Sequence, residues 1–278
     1  MLNMFAVDEI IRRALEEDMG NGDVTTLSTV DEGTNIHGRF IAKEAGVICG
    51  LPVLKRVFAL LDPAVEVKLH ISEGAAVEKG SVIAEISGPA RSVLTGERTG
   101  LNLLQRMSGI ATRTREAVEK IAGTRAVIAD TRKTTPGLRV LEKYAVRTGG
   151  GTNHRFNLAD GILIKDNHIR AAGGIGEAIA KARKNAPHTL KIEVEVESFQ
   201  EIDEALQSGA DIIMLDNMGV EDMAKAVKVI GGRALVEASG NMGEKDLKAV
   251  AETGVDIISI GALTHTVRAM DISLRFDK

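Results

Sequence analysis

Val7, Ile10, Ile11, Ala14 and Leu15 recur at helical spacing, so the chain opens with an amphipathic helix. The Gly-Asn-Gly run at 20–22 ends it. Over residues 35–90 the pattern shortens: GRFIAKEAGVICG, VEVKLHI and SVIAEISG read as strands, with a helix over 52–61 among them. From Ala90 to about Ala122 the spacing is helical again. Beyond residue 125, short apolar runs alternate with amphipathic stretches. The strands are AVIAD (126–130), ILIKD (162–166), LKIEVEV (190–196), DIIML (211–215), ALVEA (234–238) and DIISI (256–260). The helices fall at 138–148, 174–185, 199–208, 220–229 and 243–252. Repeated strand-then-helix units imply a parallel sheet.

A closed barrel and an open doubly wound sheet both satisfy that alternation. Nearly every strand ends in a polar or charged residue, as the C-terminal mouth of a barrel enzyme requires. No strand leads into a G-x-G-x-x-G turn, so a dinucleotide-binding sheet lacks its fingerprint. Both points favour the barrel, and six strands rather than eight make it incomplete. SEGAAVEKGSVIAEI in the first half resembles a turn of the small domains that carry biotin or lipoate. It lacks the flanked lysine those need, so it reads as a structural fold element.

The strand KIEVEV places Glu193, Glu195 and Glu197 on one side and its valines on the other. In a barrel the apolar side meets the helices and the glutamates turn inward, where a carboxylate must be paired or hold a cation. The competing reading is an edge strand with a solvated acidic side. Cations are concentrated elsewhere. Between 130 and 170, Arg132, Lys133, Arg139, Lys143, Arg147, Arg155, Lys165 and Arg170 stand against only Asp130, Glu142, Asp160 and Asp166, with His154 and His168 alongside. Arg139, Lys143 and Arg147 sit at helical spacing beside Glu142 and suit a solvated helix face. Arg132, Lys133 and Lys165 lie at strand ends instead, where a pocket for several negative groups is expected.

Two late loops look directed at phosphate: EASGNMG (237–243), with Ser239 and Gly240 before a helix, and IGALTH (260–265), with Gly261 and His265. Backbone N–H groups at such turns cradle anions. Glycine there also has steric uses, and a lone histidine is often structural. Asp216 closes DIIML. It serves either as a helix N-cap or, with Glu195, as a ligand for Mg²⁺, which takes one or two carboxylates plus substrate oxygens. No Cys/His spacing suits zinc.

Bulk properties narrow the class. Hydrophobic residues at 44% and charged residues at 27% describe a globular chain, not a disordered one. A net charge of −4, 3% aromatics and no tryptophan argue against nucleic-acid binding. The apolar runs are too short to span a bilayer. The first twenty residues carry five acids and no secretory pattern, and Cys49 is the sole cysteine, so the cytoplasm is the expected compartment.

DTRKTTPGLRVLEKYAVRTGGGTNHRFNLADGILIKDNHI (130–169) closely resembles the central signature of the quinolinate phosphoribosyltransferases. ERTGLNLLQRMSGIAT (97–112), EVEVES (193–198), LDNM (215–218), EASGNM (237–242) and GVDIISIGALTH (254–265) fit the same family in the same order. The resemblance spans nearly the whole chain. It implies an α/β protein with an N-terminal α/β sandwich over 1–110 and an open α/β barrel of about seven strands over 111–265. The tail, 266–278, is expected to pack with the sandwich. It implies a homodimer, Mg²⁺, and conversion of quinolinate and phosphoribosyl pyrophosphate to nicotinate mononucleotide, pyrophosphate and CO₂.

By position, Arg132, His154, Arg155 and Lys165 match the residues that grip the quinolinate carboxylates, and Arg98 an arginine entering from the partner subunit. Lys133, Glu195 and Asp216 match those around the ribosyl pyrophosphate and its metal. Ser239, Gly240, Gly261 and His265 match the 5′-phosphate loops. Other readings remain: a barrel phosphoribosyltransferase for nicotinate, or a related protein linked to molybdenum transport; a Schiff-base aldolase or decarboxylase using Lys133 or Lys165; and a non-catalytic anion carrier.

Overall fold

The structure, a computed structural model, describes residues 2–277. In chain order the first half contains α1 (Met4–Met19), α2 (Val24–Thr29), β1 (Asn35–Ala42), β2 (Gly46–Val47), α3 (Leu51–Leu61), β3 (Glu66–Leu69), β4 (Ala76–Val77), β5 (Val82–Pro89) and α4 (Ala90–Lys120). The second half contains β6 (Val127–Ala129), α5 (Arg139–Thr148), β7 (Ile162–Ile164), α6 (Asp166–Ala172), α7 (Ile175–Asn185), β8 (Ile192–Val196), α8 (Phe199–Gln207), β9 (Ile212–Asp216), α9 (Val220–Ile230), β10 (Leu235–Ser239), α10 (Leu247–Glu252), β11 (Ile257–Ser259), α11 (Ala262–His265) and β12 (Ile272–Phe276). Two compact units result. The first joins 1–115, 135–150 and 266–278; the second joins 116–134 and 151–265.

The first unit is built on an antiparallel sheet in the order β12-β1-β5-β3. In β1, Arg39 is exposed while Phe40 and Ala42 are buried, and Phe40 joins Ile48, Leu54, Phe58, Ile83, Ile86 and Leu104 in one apolar core. The C-terminal strand β12 pairs with β1 in register, Phe40 opposite Leu274. Asp277 then accepts from His37 Nδ1 at 2.6 Å and pairs with Arg39.

Helix α4 tolerates glycine because neighbours come close. A Cβ on Gly109 would sit 2.1 Å from the Arg268 carbonyl oxygen, and one on Gly96 would sit 2.8 Å from the Phe58 ring. The face of α5 expected to be solvated is not: Glu142 and Lys143 are buried. Glu142 Oε1 accepts from Arg106 Nε at 2.9 Å and its Oε2 from Thr135 N at 3.1 Å. Helical spacing alone does not reveal that a partner covers this face. Only Arg147 is exposed there.

The second unit is a parallel sheet in the order β6-β11-β10-β9-β8-β7. Each strand from β7 to β11 lies beside its successor, and β6 returns to flank β11. This is a barrel order with one seam, between β6 and β7, and a bridge from Ala129 ties β6 to Thr152 in the segment leading to β7. Six strands form it, the number read from the apolar runs and one fewer than the family resemblance implied. The edge-strand alternative for KIEVEV fails, because β8 lies between β7 and β9. Glu193 is buried and Glu195 half-buried, but Glu197 lies past the strand end and is exposed. Helices α6 and α11 and the short α2 escape a reading of the sequence, being too short to show a period.

Gly109→Ala should destabilise the protein by about 1–3 kcal/mol, since backbone rather than a flexible side chain blocks the new methyl group. Thermal denaturation compared with Gly96→Ala, whose clash is with a movable ring, checks this; an unchanged midpoint for Gly109→Ala would refute it.

Candidate active site

Neighbours paired in a parallel sheet point their side chains to the same side. Glu195 pairs with Met214, Met214 with Glu237, Asp216 with Ser239, and Glu237 with Ile257. Glu193, Glu195, Asp216, Glu237 and Ser239 therefore share the inner surface. All six strands line a cavity of about 360 Å³ towards their N-terminal ends, through Val127, Ala129, Ile162, Glu193, Ile212, Glu237 and Ile257.

His154 and Arg155 line that cavity too, whereas Lys133, Lys165, Glu195, Asp216, Gly261 and His265 lie at the opposite, C-terminal ends. Lys165 N-caps α6, where His168 Nδ1 accepts its backbone N–H at 3.0 Å, and its amine forms an ion pair with Glu195. Asp216 Oδ2 accepts from Asn217 Nδ2 at 2.8 Å. Asp216 is the last residue of β9, and Gly219 rather than Asp216 caps the next helix. A Cβ on Gly261 would lie 2.9 Å from Lys133 Cδ and 3.2 Å from His265 Cδ2, so these three residues adjoin. Thr264 Oγ1 donates to the Lys133 carbonyl at 2.8 Å and ties the two loops together.

The 239–242 loop is tightly specified. Gly240 has φ +89°, and a Cβ there would meet Asn217 Oδ1 at 2.3 Å; Asn217 and Asn241 themselves adopt φ 54° and 51°. Asn217 N donates to Ser239 O at 3.2 Å, and Lys245 Nζ to Met218 O at 3.1 Å. Outside glycine, asparagine is the residue that adopts this left-handed backbone most readily.

Asp130, directly after β6, is fully buried. It accepts from Asn153 Nδ2 at 2.7 Å and from His154 N at 2.9 Å, and so holds the loop carrying His154 and Arg155. His154 Nδ1 accepts the Arg155 backbone N–H at 2.8 Å. That leaves the proton on Nε2, which lies 3.1 Å from Glu193 Oε2 and 3.6 Å from Glu237 Oε2. The three groups fall within 4.8 Å of one another. Arg155 Nη1 donates to Gly161 O at 3.0 Å. Burial, and then the neighbouring Arg132 guanidinium, pull the Arg155 pKa below its usual value. Arg98 belongs to the first unit and is exposed on α4.

A profile of the C-terminal domain of quinolinate phosphoribosyl transferase matches residues 110–275, and one of the N-terminal domain matches residues 23–108. The chain belongs to the quinolinate phosphoribosyltransferase family. It is 47% identical to the probable nicotinate-nucleotide pyrophosphorylase (carboxylating) of Bacillus subtilis over 98% of this chain and 94% of that one. It is 40% identical to quinolinate phosphoribosyltransferase (decarboxylating) 2b, mitochondrial, of Nicotiana tabacum over 98% and 83%. The solved nicotinate-nucleotide pyrophosphorylase of Francisella tularensis superposes with a TM-score of 0.95 at 40% identity, covering 100% of this chain and 98% of that one.

Two acids of the barrel, Asp130 and Glu237, are missed by sequence reasoning. Each has a legible signal: Asp130 follows a strand end, and Glu237 falls at an inward position inside ALVEA. Glu237 is the more unusual. Burial first, and the Glu193 carboxylate second, push its pKa up from 4.5 to about 7. The folded protein then binds a proton that the unfolded chain releases above pH 4.5, so this group's contribution is intact below pH 4.5 and is lost as pH rises to about 7. Urea midpoints at pH 5 and pH 8 should diverge less in Glu237→Gln than in the parent; an equal divergence would refute the assignment.

Proposed function

We propose that the chain carries out its family's reaction, transfer of phosphoribosyl from phosphoribosyl pyrophosphate to quinolinate with loss of CO₂, and that the residues gathered at the barrel mouth divide the work. The observation that carries this reading is the pairing of Lys165 with Glu195 at the strand C-terminal ends, where Lys133 also adjoins Gly261 and His265. Arg132 and Arg155 take the quinolinate carboxylates, since a planar guanidinium holds a carboxylate with two parallel hydrogen bonds. Their mutual repulsion, visible at Arg155, is relieved when a dianion enters. Lys165, set by Glu195, completes the grip.

Ser239, Gly240, Gly261 and His265 receive the 5′-phosphate. The Gly240 geometry brings backbone close without a Cβ in the way. Lys133, beside Gly261, faces the pyrophosphate as it departs. Breaking the bond at the anomeric carbon builds oxocarbenium-like charge there, which the Glu195 carboxylate stabilises. After transfer, loss of CO₂ leaves its electron pair on the ring carbon beside the pyridinium nitrogen, whose positive charge stabilises it until that carbon takes a proton.

Glu195 and Asp216 fit Mg²⁺ in kind. They are hard oxygen donors on one inner surface, and the hydrogen bonds described use only Oε2 of Glu195 and Oδ2 of Asp216. A bound Mg²⁺ would supply neutralisation of the pyrophosphate charge. Residues 1–110 with the tail 266–278 form the sandwich part of this reading, and 111–265 the barrel. The working protein is a homodimer in which Arg98 reaches the partner's site. No helix among the described residues is long and apolar enough to cross a membrane. The cytoplasm is the proposed compartment, although the tobacco relative is named mitochondrial.

The deciding experiment is incubation with quinolinate, phosphoribosyl pyrophosphate and Mg²⁺, following nicotinate mononucleotide and CO₂. EDTA should stop turnover and Mg²⁺ restore it. Arg132→Ala should raise the quinolinate KM by about 100-fold while leaving that for phosphoribosyl pyrophosphate nearly unchanged; parallel rises in both would contradict the assignment. Mixing inactive Arg98→Ala with inactive Lys133→Ala should restore part of the activity through mixed dimers, and no recovery would sink the shared site.

A further inference from the structure

The floor of the barrel holds two acids that the reaction as described does not use. Glu193 and Glu237 are 5% and 1% exposed, and Oε1 of each is buried without a hydrogen-bond partner. They lie on β8 and β10, with only β9 between, and a third element joins them. The loop after β6 inserts His154 between them, its Nε2 directed at both carboxylates. Two buried carboxylates this close would repel, and burial penalises each; the proton Glu237 retains and the His154 donor both relieve this.

His154 reaches further. Its other ring nitrogen accepts the backbone N–H of Arg155, and its own backbone N–H is held by Asp130. A ring whose Nδ1 accepts a hydrogen bond carries its proton on Nε2, and a ring whose Nε2–H is taken by carboxylates keeps that tautomer. The chain of contacts therefore runs from the buried acids through the imidazole to the backbone of Arg155. Glu193 also acts on the Arg155 guanidinium through its charge.

We infer that Glu193 and Glu237 are positioning residues for substrate binding: they fix the tautomer and orientation of His154, which in turn fixes Arg155 where it meets quinolinate. This rests on the assignment of Arg155 to a quinolinate carboxylate. It gives His154 a supporting role beneath the substrate rather than a direct grip on it. A metal ion held by the same three side chains is the rival. It requires a lone pair on Nε2, and with Nδ1 already accepting, that would leave the ring an imidazolate.

The test combines ring ¹⁵N spectra of the folded enzyme, specifically labelled at histidine and assigned with His154→Gln, with KM values for both substrates. The parent should show His154 protonated at Nε2. Glu193→Ala should lose that signature and raise the quinolinate KM about tenfold or more, with the phosphoribosyl pyrophosphate KM within about twofold. Glu193→Gln, whose amide oxygen still accepts the Nε2 proton, should restore most of the quinolinate affinity. The inference is overturned if the quinolinate KM stays put while the tautomer changes, if both KM values rise together, or if the parent's Nε2 is unprotonated with a stoichiometric metal by elemental analysis. Should Glu193→Ala not fold, the parent and Glu193→Gln spectra still decide, because an Nδ1–H ring in either overturns it. Failure of the underlying assignment looks different: Arg155→Ala would leave the quinolinate KM unchanged whatever the His154 spectrum shows.

Discussion

A carboxylate taken out of water must find a donor, and the barrel interior is organised around that requirement. Strand parity sends Glu193, Glu195, Asp216 and Glu237 inward, and Asp130 is buried at a strand end. None could stay there unpaired. Lys165 answers Glu195, Asn153 and the His154 backbone answer Asp130, and the His154 ring answers the pair on the floor. The loops bearing Lys165 and Arg155 are thus tied to the barrel by acids that have nowhere else to go for donors.

The same requirement explains how the site comes to bind anions. Its acids are occupied in holding basic residues in place, at Glu195 with Lys165 and at Glu193 with the loop of Arg155. The basic residues of these loops are thereby held on a prearranged frame, although the chain as a whole carries −4. Prearrangement matters more than charge count, because donors already aimed need not reorganise when charge develops during reaction. The 239–242 loop expresses the same rule in backbone form, with left-handed residues at 217, 240 and 241 locked against one another.

Much of this arrangement is legible in the amino-acid sequence itself. The six apolar runs are the six parallel strands, because parallel strands buried on both sides write themselves as short Val/Ile/Leu runs. KIEVEV carries its inward acids openly, as far as Glu195. Lys133, Gly261 and His265 adjoin as the order of the motifs suggests. What stays hidden depends on contacts distant in sequence. Lys143 and Glu142 have the spacing of a surface pair, and only folding shows them covered. Glu237 looks like an ordinary acid in ALVEA until Glu193, two strands earlier, is placed within reach of it. The role of Asp130 depends on where the loop at 152–155 returns.

The barrel order leaves β6 and β7 unjoined, and the segment bridged to β6 at Thr152 is the one carrying His154 and Arg155. A hoop with a single clasp springs open at the clasp before it gives anywhere else. Here the clasp is the segment proposed to meet the substrate, so on that proposal the least costly breathing motion of the barrel is also the one that would loosen its hold on the ligand. A bound ligand bridging that loop and the strand ends would stiffen the whole hoop, which gives amide exchange along β6 and β7 a direct sensitivity to occupancy.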